Sequence, residues 1–538
     1  MEHPAGRHEL RRAPPDPLPV PRPLHRRGVP PTRRPARSDR SCPGPWPQRA
    51  PVARAPPVGR RVRRHRVARP RPPHPPPHGR RRAPTRGHRR AGPRQFRRLR
   101  GDRGDDGWIT VRTVWIVNHY AHHRERDGRA TRHQHLAASL TEHGWRTVVI
   151  AAGTDHPSGR SHLHGTTLRE RWTGDGYEFC WLRGVDHRGA GARRAMRRIA
   201  DIGLFTALLL RPGSLRGLPR PDVVIGGSFH PLAAWGASVL ARRMDVPFVF
   251  EPRDLWPESA LGLAGMTERH PVVRLLRRLE RTVVRRAAHI VSPLEGVGRY
   301  YADRGQPTPF TWVPNGVALD EQAGEPDEPA DEPDAPDAGK NEPADDRFTV
   351  TYIGSMGPAN ALEAVLDGFD LAARRAAASG GRRLVLRMVG DGSDVSALRE
   401  RASRLQAGVD VIWDGRVPQD DARRIGRRAD CLVVNMHDLP LYRHGVSMNK
   451  QYEYMLLGRP LLVGAPVTLE PVVASASGLH VRPDDPEAIA EGILALAAMP
   501  AAEREAMGAR GRDHVVREHD YRRLAGVLAG VLDDTVAA

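Results

Sequence analysis

FTVTYIGSMGPANALEAVLDGF, residues 348–369, reads as a strand, a glycine turn and an amphipathic helix in immediate succession. Phe348 to Ile353 make an apolar strand-like run, and Leu362, Val365, Leu366 and Phe369 then recur at the i, i+3, i+4, i+7 spacing of one helical face. Gly354 and Gly357 lie between them, where a backbone without side chains can come close to a ligand. Asn360 is expected to cap the helix, with Glu363 three residues on completing a capping box. Free N–H groups in such a first turn favour an anion such as a diphosphate, which makes Gly354, Ser355, Gly357 and Asn360 candidate contacts. Any tight strand-to-helix turn also uses glycine, so this loop alone does not decide function.

The unit repeats on both sides. Downstream come LVLRMVGDG (384–392), VDVIWDGRV (409–417) and CLVVN (431–435), separated by helical stretches. Glycine loops such as Gly390-Asp391-Gly392 on one sheet edge offer a flat floor for a planar base. Upstream, TVWIVN (113–118) leads to a helix from about Thr131, stopped by Gly144, and then to TVVIAA (147–152). Further strands are expected at 222–226, 246–251 and 288–291. Between the two series lies 320–346, with 12 acidic residues and repeated Glu-Pro and Asp-Pro pairs, which reads as a solvated linker. The fold class is therefore α/β, with two Rossmann-like parallel-sheet domains, 108–319 and 347–538, facing a cleft at the carboxyl ends of their strands.

The net charge of +23 suggests nucleic acid until it is located. Residues 1–107 hold 30 of the 85 basic and 7 of the 62 acidic residues, so the 55 of each sign beyond them cancel. The folded part is neutral, and no nucleic-acid partner is expected. The first 107 residues carry 24 of the 51 prolines and no apolar periodicity, and are expected to be a disordered Arg/Pro-rich tail. A binding arm, an inert extension and an over-long gene reading all fit that composition, and the last accounts best for its lack of motifs. The tail lacks the apolar stretch of a secretory signal. Cys42, Cys180 and Cys431 are widely spaced, which points to a reducing, cytoplasmic setting and away from structural zinc. His119, His122 and His123 lack carboxylates at ligand spacing, so no metal site is assigned. The longest largely apolar run, Ile202 to Leu210, is too short to span a bilayer. Preceded by Arg193, Arg194, Arg197 and Arg198, it suits peripheral contact with an anionic membrane surface, or else a core helix with a solvated basic end.

GVSMNKQYEYMLLGRP (445–460) carries the most chemistry. Ser447 is expected to cap a helix with Asn449 and Lys450 in its first turn and Glu453 on the same face. A cation there opposes the helix dipole unless an anion binds beside it. The alternative is a Lys450–Glu453 surface pair. In the first domain, Arg253, Asp254, Trp256 and Glu258 follow the strand PFVFE, and their acceptors and ring face suit a sugar, although a satisfied polar network reads the same way. His230 follows the strand VVIGG and is either structural or catalytic.

From about Arg112 onward the chain resembles glycosyltransferase family 4, most nearly the branch of O-antigen and colanic-acid type polysaccharide glycosyltransferases. The resemblance is carried by VWIVNHYA with TRHQHLAASLTEHGW, FEPRDLWPES, VPNGV, YIGSMGPANALEAVLDGF, MVGDGSDVSALRERA, KQYEYMLLGRPLL and GLHVRPDDPEAIAEGI in the family's order. It implies a GT-B fold, a nucleotide-sugar donor (a UDP-sugar by preference) on the second domain, and a glycan or lipid-linked acceptor on the first. It further implies retention of anomeric configuration, with no cofactor and no obligatory metal. Glu453 matches the glutamate that binds the donor ribose, Gly390 and Gly392 the loop flanking the base, and His230 a histidine beside the transferred sugar. Asp254 and Glu258 are taken with His230 as the catalytic set, and Arg253 and Trp256 as acceptor contacts. The sequence departs from the family pattern at Gly445, where a second glutamate is usual, and at Ser355 and Asn360, where an arginine and a lysine commonly hold the diphosphate. Lys450 and the helix start at 357–361 are expected to take over that task. A sugar-nucleotide 2-epimerase and a non-catalytic scaffold of the same architecture are the alternatives.

Overall fold

The computed structural model describes residues 111–319 and 347–538, apart from positions 157, 175, 190, 406–408 and 468. The expected tail and acidic linker lie outside the described residues. Eight strands build the first half: β1 (Arg112–Val117), β2 (Trp145–Ala152), β3 (Arg169–Thr173), β4 (Tyr177–Leu182), β5 (Val223–Gly227), β6 (Phe248–Glu251), β7 (His289–Ser292) and β8 (Phe310–Trp312). They form one sheet in the order β3-β4-β2-β1-β5-β6-β7-β8, parallel except for the edge strand β3, which pairs antiparallel with β4. Successive residues of a strand point to opposite faces, and here both faces are buried. Trp115 and Val117 enter one apolar cluster, and Val114 and Ile116 the other.

Six strands build the second half: β9 (Arg347–Ile353), β10 (Arg383–Val389), β11 (Asp410–Gly415), β12 (Cys431–Asn435), β13 (Leu461–Gly464) and β14 (Gly478–Val481). Their order is β11-β10-β9-β12-β13-β14, parallel throughout. Cys431 and Val433 face one core, and Leu432 and Val434 the other.

The helix Tyr521–Ala537 corrects the expected boundary at 538. It leaves the second half and packs Leu524, Leu528 and Leu532 into the first-half cluster with Leu136, Leu140 and Val149. The crossing is fixed by backbone bonds from Val317 N to His519 O (2.9 Å) and from Tyr521 N to Val317 O (3.1 Å). Its amphipathic pattern shows that one face is buried but not against which partner.

For the apolar run of the helix Gly191–Leu210 the core alternative holds. Phe205, Leu208 and Leu209 are turned into the core, so the apolar run is not a surface feature. The large apolar side chains of that helix that are exposed lie in its basic first half, Met196 at 65% and Ile199 at 70%.

Candidate functional site

In an open parallel sheet, ligands bind where strand order reverses, because the flanking loops diverge and leave a crevice at the carboxyl ends. In the first sheet that point lies between β1 and β5, and in the second between β9 and β12. The loops that open there carry His119 and His230 in one half, and the Gly354–Asn360 turn and the segment before the helix Asn449–Leu456 in the other.

Lys450 organises the second-half crevice. Its Nζ donates to Tyr352 Oη at 2.8 Å and to Asn360 Oδ1 at 2.7 Å, and lies 4.5 Å above the Tyr352 ring. A Cβ added to Gly354 would stand 3.4 Å from that ammonium. Both hydrogen-bond partners are neutral, and among the described residues no carboxylate is within ion-pair distance. Burial pulls the ammonium pKa down to about 8, while Glu453 on the same helix draws it up. The surface-pair alternative is thus replaced by a half-buried cation beside a glycine backbone.

The turn itself is braced from within. Tyr352 Oη donates to Ser355 O at 2.5 Å, and Asn360 Nδ2 donates to the same carbonyl at 2.9 Å. Asn360 therefore does not cap the following helix. That position is Ala361, in the left-handed region at φ 41°, with its carbonyl held by Asn435 Nδ2 at 2.8 Å from the end of β12. Ser447 is likewise no cap, because its Oγ accepts from Asn315 Nδ2 at 2.6 Å across the two halves while Met448 precedes the helix. Gly390 and Gly392 are required for a reason the sequence did not show. A Cβ at either would stand 2.0 and 2.1 Å from Gly354 O and Met356 O, so these glycines let two loops pack backbone to backbone. Gly357 borders more open space, its nearest added contact being Ser393 Oγ at 3.7 Å.

Tyr454 fixes the helix that carries Lys450, since its hydroxyl accepts from Ile353 N at 2.6 Å and donates to Ile353 O at 2.5 Å. On the same helix, Asn449 and Glu453 line a cavity of about 340 Å³ that also takes Arg129, Arg132 and Tyr521 from the facing side. Glu453 meets solvent there yet is ringed by protein, which raises its pKa, against the pull of Arg423 and Lys450.

In the first half, His230 caps the helix Pro231–Met244 by accepting Ala233 N–H on Nδ1 at 3.2 Å. With that nitrogen an acceptor, the ring hydrogen sits on Nε2, a buried atom without a partner among the described residues. Burial, then His119 and Arg198, hold the ring well below the usual histidine pKa, so it is a neutral donor rather than a base. His119 stands edge-on at 4.8 Å and is itself bound through Nε2 to the buried Asp201 at 2.9 Å. Asp254 is reached by solvent, its pKa is raised by the surrounding protein against the pull of Arg253, and its main-chain carbonyl accepts from Ser228 Oγ at 3.2 Å. The Trp256 indole N–H is spent on Phe229 O at 3.1 Å, leaving only its ring for a ligand. Arg253 has a buried Nε without a partner among the described residues. Glu258 is not brought to His230: it accepts from Arg304 at 2.8 Å and from Tyr300 Oη at 3.0 Å and pairs with Arg277 at 3.0 Å.

Residues 127–316 match the family described as glycosyl transferase 4-like domain, and residues 347–499 match glycosyl transferases group 1. The chain belongs to the GT-B glycosyltransferases. Similar solved structures include the sucrose-phosphate synthase of Thermosynechococcus elongatus, with 14% identity, a TM-score of 0.55, and 79% of this chain and 99% of that one covered. The E. coli structure titled trehalose-6-phosphate bound with UDP-2-fluoro glucose is 12% identical, with a TM-score of 0.56 and coverage of 78% and 98%. Anabaena HepE in complex with UDP-glucose is 12% identical, with a TM-score of 0.51 and coverage of 78% and 99%. No curated protein sequence matches the chain.

Several parts of this glycosyltransferase's site were not singled out from sequence. Tyr352 and Tyr454 stand inside quoted motifs, but strand and helix patterns count tyrosine as apolar and say nothing of where a hydroxyl reaches. Behind the first-half loops, Glu251 binds Arg132 Nε at 3.0 Å and His133 Nε2 at 2.8 Å. Arg132 also reaches Val313 O at 2.7 Å, tying the helix after β1 to the segment after β8. Gly445, where the family pattern has a glutamate, has φ 106° and lies against the Leu294–Gly296 backbone, with an added Cβ 3.0 Å from Glu295 N. A side chain there would be strained in this conformation.

Proposed function

We propose that this glycosyltransferase moves a hexosyl or N-acetylhexosaminyl group, with retention, from a nucleoside diphosphate sugar to a glycan or lipid-linked acceptor of cell-surface polysaccharide. The observation that carries the donor half of this reading is Lys450, a cation held beside the Gly354–Gly357 backbone by neutral partners only. A diphosphate placed there restores the electrostatic balance that burial upsets. UDP is the preferred nucleotide because two similar structures are bound with UDP-2-fluoro glucose and with UDP-glucose.

In the reaction the acceptor hydroxyl oxygen bonds to the anomeric carbon as that carbon's bond to the β-phosphate oxygen breaks. The nucleoside diphosphate leaves with the electron pair and takes up the hydroxyl proton. Lys450 and the free backbone N–H groups of the turn stabilise the charge that develops on the leaving group, a task that calls for no metal. Glu453, as a carboxylate, accepts from ribose hydroxyls. The neutral Nε2–H of His230 is suited to hold a hydroxyl of the transferred sugar, and Asp254 to orient the acceptor with Arg253 and the Trp256 face. Glu258 acts at one remove, holding Arg277, Arg304 and Tyr300 in place.

The exposed Met196 and Ile199 among Arg193 and Arg197 favour a peripheral anionic membrane as the place of work. Liposome flotation with anionic lipid, with and without salt, checks that point. The function itself is tested with a panel of nucleotide sugars and mass-spectrometric detection of free nucleoside diphosphate and glycosylated product. Turnover of no donor in the panel would defeat the proposal, as would sugar isomerisation without transfer.

A further inference from the structure

A second cavity, about 810 Å³, lies on the other side of the Gly128–Arg129 turn from the one that holds Glu453. Its wall carries Arg126, Arg129, Arg160, Arg188 and Arg194 from the first half and Arg416 from the loop after β11. Asp127 and Asp155 are the acidic groups in that wall, and both are engaged. Asp155 takes Arg129 at 3.1 Å, His122 at 3.2 Å and Ser158, while Asp127 takes His123 N at 2.8 Å. Arg188 pairs with Asp186 at 2.9 Å. Arg126 is stacked 4.3 Å over Trp181, its charge disfavoured by burial, and its Nη1 is buried without a partner among the described residues.

Six guanidinium groups line one concave site, with Asp127, Asp155 and the neighbouring Asp186 against them, which leaves an excess of positive charge there. The arrangement gains from a multivalent anion that bonds several of them at once. The donor diphosphate has its own place at Lys450, which does not line this cavity. Resting on the glycosyltransfer reading above, we infer that this cavity binds the phosphate or diphosphate group of a phosphorylated acceptor. Arg416 enters from the donor half, so the anion bridges the two halves with its sugar or lipid end at the cleft.

The test uses the full chain saturated with UDP, so that the donor site is filled, and titrates inorganic pyrophosphate by calorimetry. Pyrophosphate binds the UDP-saturated protein, and the Arg160→Ala/Arg194→Ala double variant weakens that binding by roughly tenfold or more while leaving UDP affinity unchanged. Glucose 6-phosphate and farnesyl diphosphate are then competed against pyrophosphate. Displacement by the first assigns the site to a soluble phosphorylated acceptor, and displacement by the second to a lipid-linked one. Pyrophosphate that binds only when UDP is absent, or binds the double variant as it binds the parent, overturns the inference. Absence of UDP binding itself would instead count against the donor reading, so the two failures are separable.

Discussion

Lys450 has a charge that the fold alone does not explain, and its titration gives that charge an observable. With a pKa near about 8 instead of the ordinary 10.5, the ammonium is present below that pH and lost as pH rises through it. Donor affinity is expected to fall above pH 8, and Lys450→Arg, which stays charged, is expected to flatten the fall even if it binds less well at pH 7. For stability the sign is reversed. The folded, ligand-free chain carries fewer protons at this residue than the unfolded chain between about pH 8 and 10.5, so the residue's penalty on folding is relieved across that window. His230 separates two roles that one substitution usually confounds. Asn is a good helix cap, so His230→Asn should keep the melting temperature within a degree or two while removing the Nε2 donor. Loss of a hydrogen bond to a reacting sugar predicts a kcat lower by about 10- to 100-fold with little change in KM. The parent's pH profile should show no limb from His230 between pH 6 and 8, because the ring is already neutral there. Equal losses of stability and activity in His230→Asn would mean that the residue only caps the helix.

At the scale of elements, the alternation of strands and helices was legible because period-2 and period-3.6 patterns are local properties of the chain. Cys431–Asn435 was located to the residue, and β1, β2, β5, β6, β7 and β9 to β11 within three residues at each end. What local pattern cannot carry is which surface an element finds. The hairpin β3–β4 was not read, because Arg169–Thr173 is an exposed edge of alternating charge. The helix Tyr521–Ala537 was assigned to the wrong half because its partners lie nearly 400 residues away in sequence. Leu528 is buried in that contact, so Leu528→Ala is expected to cost about 2–5 kcal/mol. Chemical denaturation followed by the first-half tryptophans reads it. A loss below about 1 kcal/mol would mean that the helix is not part of the first-half core. The same limit explains the site. Glycines, Lys450 and Glu453 were visible as residues in loops and first turns, whereas the partners Tyr352, Asn360 and Asn435 acquire their roles only once β9 and β12 lie side by side.

Over the whole molecule, two sheets reverse their strand order at points that carry most of the candidate residues, and the formal charge of +23 has no bearing on them. The crevices differ in kind: one half presents a cation and glycine backbone, the other neutral or orphaned donors and a carboxylate. That division is what transfer between an anionic donor and a hydroxyl acceptor asks for. Calorimetric titration of UDP and of uridine into the parent and Lys450→Ala proteins tests whether the diphosphate is held at Lys450. The parent should bind UDP well above uridine, and Lys450→Ala should lose roughly 10- to 150-fold in UDP affinity while its weak affinity for uridine is unchanged. A Lys450→Ala protein that binds UDP as tightly as the parent would place the diphosphate elsewhere and contradict the site described.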